Sequence, residues 1–205
     1  VLNINGYLVP SENVFIHPCN TVPDDRSTMQ FGNHPYYANP LILTNQEARD
    51  LIVESPTSMV YIRSLFGSRE LISGCPRKCI WIKDDEFNKA SNIPALRHRI
   101  DAVQDARKLK TKDKQAQKLL ATPHRFRDQY EGKDSTIVVP IVSSENRPYL
   151  PVDLLGPGCI VHNKAFSLYD SPLWNMALIA SRLHWAWIGT VCVRMRTDFS
   201  YSNTL

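Results

Sequence analysis

The sequence predicts an α+β domain: mixed, largely antiparallel strands with a buried C-terminal helix and a basic helical insertion. Short β-favouring runs broken by Pro, Asn and Gly fill residues 1–86 and return after residue 131. A helical, strongly basic stretch separates them at 87–130. Residues 173–187 are apolar on nearly every helical face, the pattern of a core element. The chain has 205 residues, 43% hydrophobic and 21% charged, which is enough for one domain with a buried core. We read 1–205 as a single domain and 87–130 as a subregion within it.

In the first part, Gly6-Tyr7-Leu8-Val9, Val14-Phe15-Ile16 and Cys79-Ile80-Trp81-Ile82 read as strands. Thr44 and Glu47 stand at capping-box spacing and start a helix, with Ala48, Leu51 and Ile52 on one face. Residues 58–66 read as a second short helix that Gly67 ends. In the second part, Asn92 is the expected cap with Pro94 in the first turn, and Leu96, Ile100 and Val103 form an apolar stripe. The stripe is lost after Arg107, which predicts a break near 110–113. A further helix is expected at 115–121, stopping before Pro123. The third part reads strand, strand, helix, strand. Residues 136–142 form the first strand, where Pro140 argues for an edge or a bulge, and 158–161 the second. The helix runs from 173 to about 187 behind Ser171-Pro172. In the last strand Arg194, Arg196, Asp198 and Ser200 alternate with Met195, Thr197, Phe199 and Tyr201, so an extended chain would put the polar four on one face.

The net charge is +4, but residues 95–128 hold ten Lys/Arg against four Asp, +6 locally and −2 elsewhere. Such a concentration suits a phosphate backbone; it equally suits a solvated helix surface. Five scattered cysteines predict a reduced, cytoplasmic protein with no disulfide partner. No basic-then-apolar leader opens the chain. The most apolar stretch, 173–192, carries Asn175, Arg182 and His184, so no membrane partner is expected. The strand-like opening at Val1 and the ending at Leu205 without a polar tail read as a piece of a longer chain.

The motifs of catalysis are missing. No Gly-rich phosphate loop occurs among the eight glycines. Cys75 and Cys79 lack a second ligand pair, so a turn with ordinary thiols is favoured over zinc. Asn33-His34-Pro35-Tyr36 is similar to the Asn-Pro-Pro-Tyr loop of amino-methyltransferases. However, His34 replaces the first proline and no Gly-rich cofactor strand precedes it, so it reads as a surface turn. His17, His162 and His184 stand apart from any nucleophile. We expect no catalytic residue, metal or cofactor in this chain.

Seven strings carry a resemblance when taken in order: Asn3-Ile4-Asn5-Gly6-Tyr7-Leu8-Val9, Phe31-Gly32-Asn33-His34-Pro35, Ile62-Arg63-Ser64-Leu65-Phe66-Gly67-Ser68-Arg69-Glu70, Val139-Pro140, Ser143-Ser144-Glu145-Asn146-Arg147-Pro148-Tyr149, Ser181-Arg182-Leu183-His184-Trp185-Ala186-Trp187, and Arg194 through Ser202. Together they resemble the target-recognition domain of the MmeI-like adenine-specific DNA methyltransferases, restriction–modification enzymes of type IIG/IIL. The resemblance implies a parent that uses S-adenosylmethionine to methylate adenine N6, with or without a Mg-dependent nuclease domain. It places the cofactor pocket and catalytic loop elsewhere in the parent. It leaves this domain to grip double-stranded DNA beside the methyltransferase domain of the same chain.

The resemblance also implies base-choosing residues in two pairs, Arg196 with Asp198 and Lys164 with Ser200. The chemistry agrees: Arg reads guanine O6/N7 and Asp accepts from the cytosine amino group. The implied site contains 5′-G-A-G-3′ with the central adenine methylated. Ser144 and Arg147 are candidates for the same groove, with a salt bridge from Arg147 to Glu145 as the plainer alternative. Arg63, Ser68 and Arg69 read as phosphate contacts or local structure. Arg97, Lys108 and Lys110 either track the DNA backbone or are solvated. Two other readings are a protein-interaction or scaffold domain with a solvated basic helix, and an RNA-binding domain. The RNA reading is disfavoured because Trp174, Trp185 and Trp187 fall on the predicted core helix.

Overall fold

A computed structural model describes residues 3–5, 8–15, 17 and 27–203. In chain order it contains β1 (Gln30–Phe31), β2 (Ile42–Leu43), α1 (Asn45–Glu54), β3 (Ile62–Phe66), α2 (Ser68–Ser73) and β4 (Arg77–Ile80). Helices α3 (Phe87–Ser91), α4 (Pro94–Lys108) and α5 (Lys114–Lys118) follow. Then come β5 (Thr136–Pro140), β6 (Val142–Ser143), β7 (Asp153–Leu155), β8 (Cys159–Val161) and β9 (Ala165–Tyr169). The last elements are α6 (Trp174–Ile179), α7 (Arg182–Val191), β10 (Val193–Met195) and β11 (Asp198–Ser200). The mixed α+β class is as the sequence predicts.

The strands form three small sheets, ordered β2-β4-β3-β8, β1-β9-β5-β7 and β10-β11-β6. Every ladder is antiparallel except β3 with β8. The consecutive strands β8 and β9 belong to different sheets. The loop between them, residues 162–164, therefore sits on a seam, and this seam positions the candidate site. The first sheet packs with α1 and α4 around Leu43, Leu65, Ile80, Leu96, Ile100 and Val103. The second packs with α6 and α7 around Ile137, Val139, Phe166, Ile179 and Ile188. Strand β5 turns Ile137 and Val139 to that core and Val138 to a third, with Val161 and Ala165. Burial on both faces explains its unbroken apolar run.

Several expectations hold. The Thr44 hydroxyl accepts from the Glu47 amide while a Glu47 carboxylate oxygen accepts from the Thr44 amide, a complete capping box. Leu96, Ile100 and Val103 are buried, and the helix ends before 110. Pro140 pairs only with Ala165 on β9, beyond the end of β7, so no partner lacks a donor.

Other expectations are corrected. Residues 58–66 are a 3-10 turn, Pro56–Tyr61, followed by β3. Pairing with β4 and β8 on both sides overrides the local helical pattern. The strand placed at 79–82 spans Arg77–Ile80 instead. Ile93, not Asn92, is the N-cap of α4. Strands β7 and β9 were not anticipated. Of the first two strand-like runs, Gly6, Tyr7 and Ile16 lie outside the described residues, and Leu8, Val9, Val14 and Phe15 are not in strands.

The helix expected at 173–187 is two helices, because Ser181 interrupts it and caps the second by accepting from the His184 amide. Nor is it buried all round. Ile179 and Ile188 face the core, whereas Leu173 is 60% and Leu183 81% exposed. Trp174 and Trp187 are exposed too, so these indoles no longer argue against an RNA partner. The last strand is a hairpin rather than one extended run. No helix among the described residues is long and apolar enough to cross a membrane.

Candidate nucleic-acid interface

A cleft of about 650 Å³ opens where the loop 162–164, the start of α2, β1 and the C-terminal hairpin meet. Phe31, Ile141, Val142 and Met195 give it apolar walls; Arg69, Arg127 and Lys164 give it cations. Ser68, His34 and Asn163 complete the polar lining.

Backbone accounting fixes the loop that carries Lys164. The His162 amide donates to the Phe66 carbonyl at 2.7 Å, and the Asn163 amide to the Asn33 carbonyl at 3.0 Å. The Lys164 amide donates to His162 Nδ1 at 3.2 Å. The Ser68 hydroxyl donates to the Lys164 carbonyl and accepts from the Ile141 amide. The Lys164 chain is left exposed, with no side-chain partner among the described residues. His162 is pushed down to about 4, by burial first and then by the Arg77 charge, so its ring is a neutral acceptor.

The neighbouring wall is as tightly held. The fully buried Asn33 amide donates to the Tyr130 and Val161 carbonyls at 2.9 and 3.1 Å and accepts from the Tyr130 amide at 2.6 Å. This corrects the surface-turn reading for Asn33, although Tyr36 and Tyr37 do turn the chain with φ of +47° and +65°. Gly32 runs so close to the loop that a Cβ there would lie 2.5 Å from the His162 carbonyl oxygen. Burial and the Arg127 charge lower His34, whose Nδ1 accepts from the Tyr36 amide. At the start of α2, buried Glu70 accepts from the Gly67 amide and from Arg77 Nε, at 2.9 and 2.8 Å, which sets the turn that presents Ser68 and Arg69.

The hairpin pairs Val193 with Ser200, Arg194 with Phe199 and Met195 with Asp198, leaving Arg196-Thr197 as its two-residue turn. Directly opposed residues share a face. Asp198 and Ser200 therefore look out with Met195 and Val193, whereas Arg194 lies on the other face over the Phe199 ring, 4.5 Å from its centroid, and is ion-paired with Glu145. The predicted alignment of four polar residues thus splits: Asp198 and Ser200 stay together, Arg194 leaves, and Arg196 occupies the turn with φ +61°. Ser200 lines a second groove of about 370 Å³ that shares Phe31 and Ile141 with the first.

The remaining candidates lie elsewhere. Ser144 and Arg147 share a turn after β6 and line neither groove, and Glu145 pairs with Arg194 rather than Arg147. Arg63 donates to the Val60 and Ile62 carbonyls. Arg97 pairs with Asp101 and Lys108 with Asp105, while Lys110 sits 5.4 Å from the Tyr37 ring centroid. Sequence reasoning brought Ser68, Arg69 and Lys164 to the cleft but missed His34 and Arg127 as lining residues. No local pattern marks them, because the loops 33–37 and 122–128 meet only in the fold.

Residues 10–205 match the family described as MmeI, target recognition domain. DNA methyltransferase A of Bacillus subtilis (strain 168) is 35% identical over 202 residues, covering 98% of this chain and 23% of that protein. The solved structure of the type IIL restriction-modification enzyme MmeI in complex with DNA is similar at a TM-score of 0.87 and 26% identity, over 100% of this chain and 27% of that one. The chain thus spans about a quarter of the length of these relatives. With the family matched over residues 10–205, this chain belongs to the MmeI target recognition domain family.

Proposed function

We propose that this chain reads DNA sequence for an S-adenosylmethionine-dependent DNA N6-adenine methyltransferase of the restriction–modification type, and is not catalytic by itself. The observation that carries the reading is a pair of neighbouring grooves that share Phe31 and Ile141, one lined by Lys164 and the other by Ser200, on a chain of the target-recognition family; Arg196 and Asp198 line neither groove and stand beside them on the hairpin. Lys164 and Ser200 flank the shared wall of Phe31 and Ile141 and are suited to one guanine. Arg196 and Asp198 stand at and just after the hairpin turn and are suited to the two halves of a G·C pair. The left-handed backbone of Arg196 costs about 1–2 kcal/mol, and such conformations gather at sites of function. Arg69 takes the role of a phosphate contact at the cleft edge, whereas Ser68, whose hydroxyl and amide both donate to the Lys164 carbonyl, is local structure that fixes the Lys164 loop. S-adenosylmethionine, and Mg for any nuclease domain, are assigned to the rest of the parent, as the family resemblance implies.

The test is the exchange Arg196→Asp with Asp198→Arg in the full-length protein, followed by sequencing of methylated sites. The expected result is inversion of one G·C pair beside the methylated adenine within 5′-G-A-G-3′. An unchanged methylated sequence would remove the proposal. The exchange is compatible with the turn, because Asp tolerates the left-handed conformation.

A further inference from the structure

Arg127 is held in an unusual way for a cation at the cleft. Its Nε donates to both Asp128 carboxylate oxygens, at 3.0 and 3.1 Å, and its Nη2 donates to Oδ2 at 2.9 Å. Its guanidinium carbon lies 5.9 Å from the Tyr36 ring centroid. The backbone beneath is tied twice to the neighbouring loop: the Arg127 amide donates to the His34 carbonyl at 2.9 Å, and the His34 amide donates to Asp128 Oδ2 at 3.2 Å. Below both loops, the Arg107 guanidinium donates to the Tyr36 carbonyl on one and to the Thr122 and Arg125 carbonyls on the other.

This leaves one edge of the Arg127 guanidinium free. Nη1 has no partner among the described residues, and Nη2 keeps a second hydrogen. A guanidinium locked along its inner edge by a carboxylate presents an outer fork of two N–H groups, the geometry that matches guanine O6 and N7. A phosphate is the poorer fit. The Arg127–Asp128 pair has little net charge to attract a phosphate from a distance, whereas a base edge is read by short hydrogen bonds. The side chain is 39% exposed and shares the cleft with Lys164. We infer that Arg127, braced by Asp128, is a further base-reading residue of this chain and takes a guanine edge beside the base met by Lys164. The inference rests on the proposed reading of DNA by this chain.

The experiment uses the full-length protein and a pool of duplexes randomised through the recognition site, sequenced after selection for binding at fixed salt. Arg127→Ala is expected to relax preference at one G·C position by roughly 10- to 100-fold and keep the others. The slope of log affinity against log salt should not change. Asp128→Asn, which keeps Arg127 but loosens its inner edge, is expected to relax the same position less. Equal weakening on all sequences, with the salt slope reduced by about one, would overturn the inference in favour of a phosphate contact. Unchanged preference in both variants would overturn it as well. So would complete loss of binding in Arg127→Ala beside wild-type preference in Asp128→Asn, since Arg127 would then be structural. Arg196→Ala is selected in parallel. If it relaxes a position and Arg127→Ala does not, only this inference fails; if neither variant relaxes any position, the DNA-reading proposal fails with it.

Discussion

Arg107 places a guanidinium in the interior of the helical subregion with no carboxylate partner among the described residues. The residue is fully buried, and its donors meet only backbone carbonyls: Tyr36 from Nε, Leu119 and Thr122 from Nη1, Arg125 and more distantly Pro35 from Nη2. Burial, with a smaller push from the Arg125 charge, lowers it to about 10, so it is still protonated at neutral pH. Two of these carbonyls, Tyr36 and Arg125, accept from no other group among the described residues, whereas Pro35, Leu119 and Thr122 also accept a backbone amide. Arg107 therefore acts as a shared donor for the loops that carry His34 and Arg127. Replacing it by Met keeps the volume and leaves the Tyr36 and Arg125 carbonyls unpaired, each at about 1–3 kcal/mol. The expected loss is about 2–6 kcal/mol in urea unfolding, with Arg107→Lys intermediate because an ammonium has three donors. A loss below about 1 kcal/mol for Arg107→Met would show that these bonds do not hold the loops.

The loop between β8 and β9 makes a pH-dependent statement of the same kind at the scale of an element. His162 sits at its start, with a folded-state value of about 4 against an ordinary 6.5. As pH falls, the unfolded chain takes this proton first, so the linked stability is complete above pH 6.5 and drains away between 6.5 and 4. Its size is on the order of 3 kcal/mol. Burial also lowers His34, His124 and His184, and their contributions have the same sign. Urea midpoints should fall between pH 7 and pH 4.5, and less steeply in His162→Asn, whose side-chain carbonyl can accept from the Lys164 amide as Nδ1 does. Equal slopes in the two proteins would refute the assignment. Elements whose signals are local were legible in the sequence: Thr44 and Glu47 are three residues apart, and the stripe Leu96-Ile100-Val103 lies within two turns. Strand β9 was not, because its partners come from residues 30–31 and 136–140. The hairpin was hidden because Arg196-Thr197 supplies a tight turn without the Gly or Asn that usually marks one, so the alternation reads straight through it. At the candidate site, Lys164 and Ser200 came from the family resemblance, and only the fold puts Arg127 in the cleft with Lys164.

Across the whole molecule, the charge that first suggested a nucleic-acid partner is distributed differently from its linear density. Of the ten cations between residues 95 and 128, Arg107 is buried, Arg97, Lys108 and Arg127 face neighbouring carboxylates, and Arg125 and Arg99 pair with Asp84 and Glu47. Lys110 lies over Tyr37. Five of the ten thus face carboxylates and one is buried, while Lys110, Lys112, Lys114 and Lys118 have no ion pair among the described residues; through Arg107 the subregion also braces the cleft wall. The cations without ion-pair partners among the described residues include Arg69 and Lys164 in the cleft and Arg196 at the hairpin turn. Counterion release converts this difference into a measurement, because each neutralised phosphate adds about 0.9 to the slope of log affinity against log salt. In the full-length protein, Arg69→Gln should lower that slope by about one. Replacing Arg97, Lys108 and Lys110 together by Gln should lower it by no more than about one, although three charges are removed, since Arg97 and Lys108 already face carboxylates. A fall of nearly three in the triple variant would instead make α4 and the residues after it a phosphate-tracking face, and would return the DNA backbone to the helical subregion.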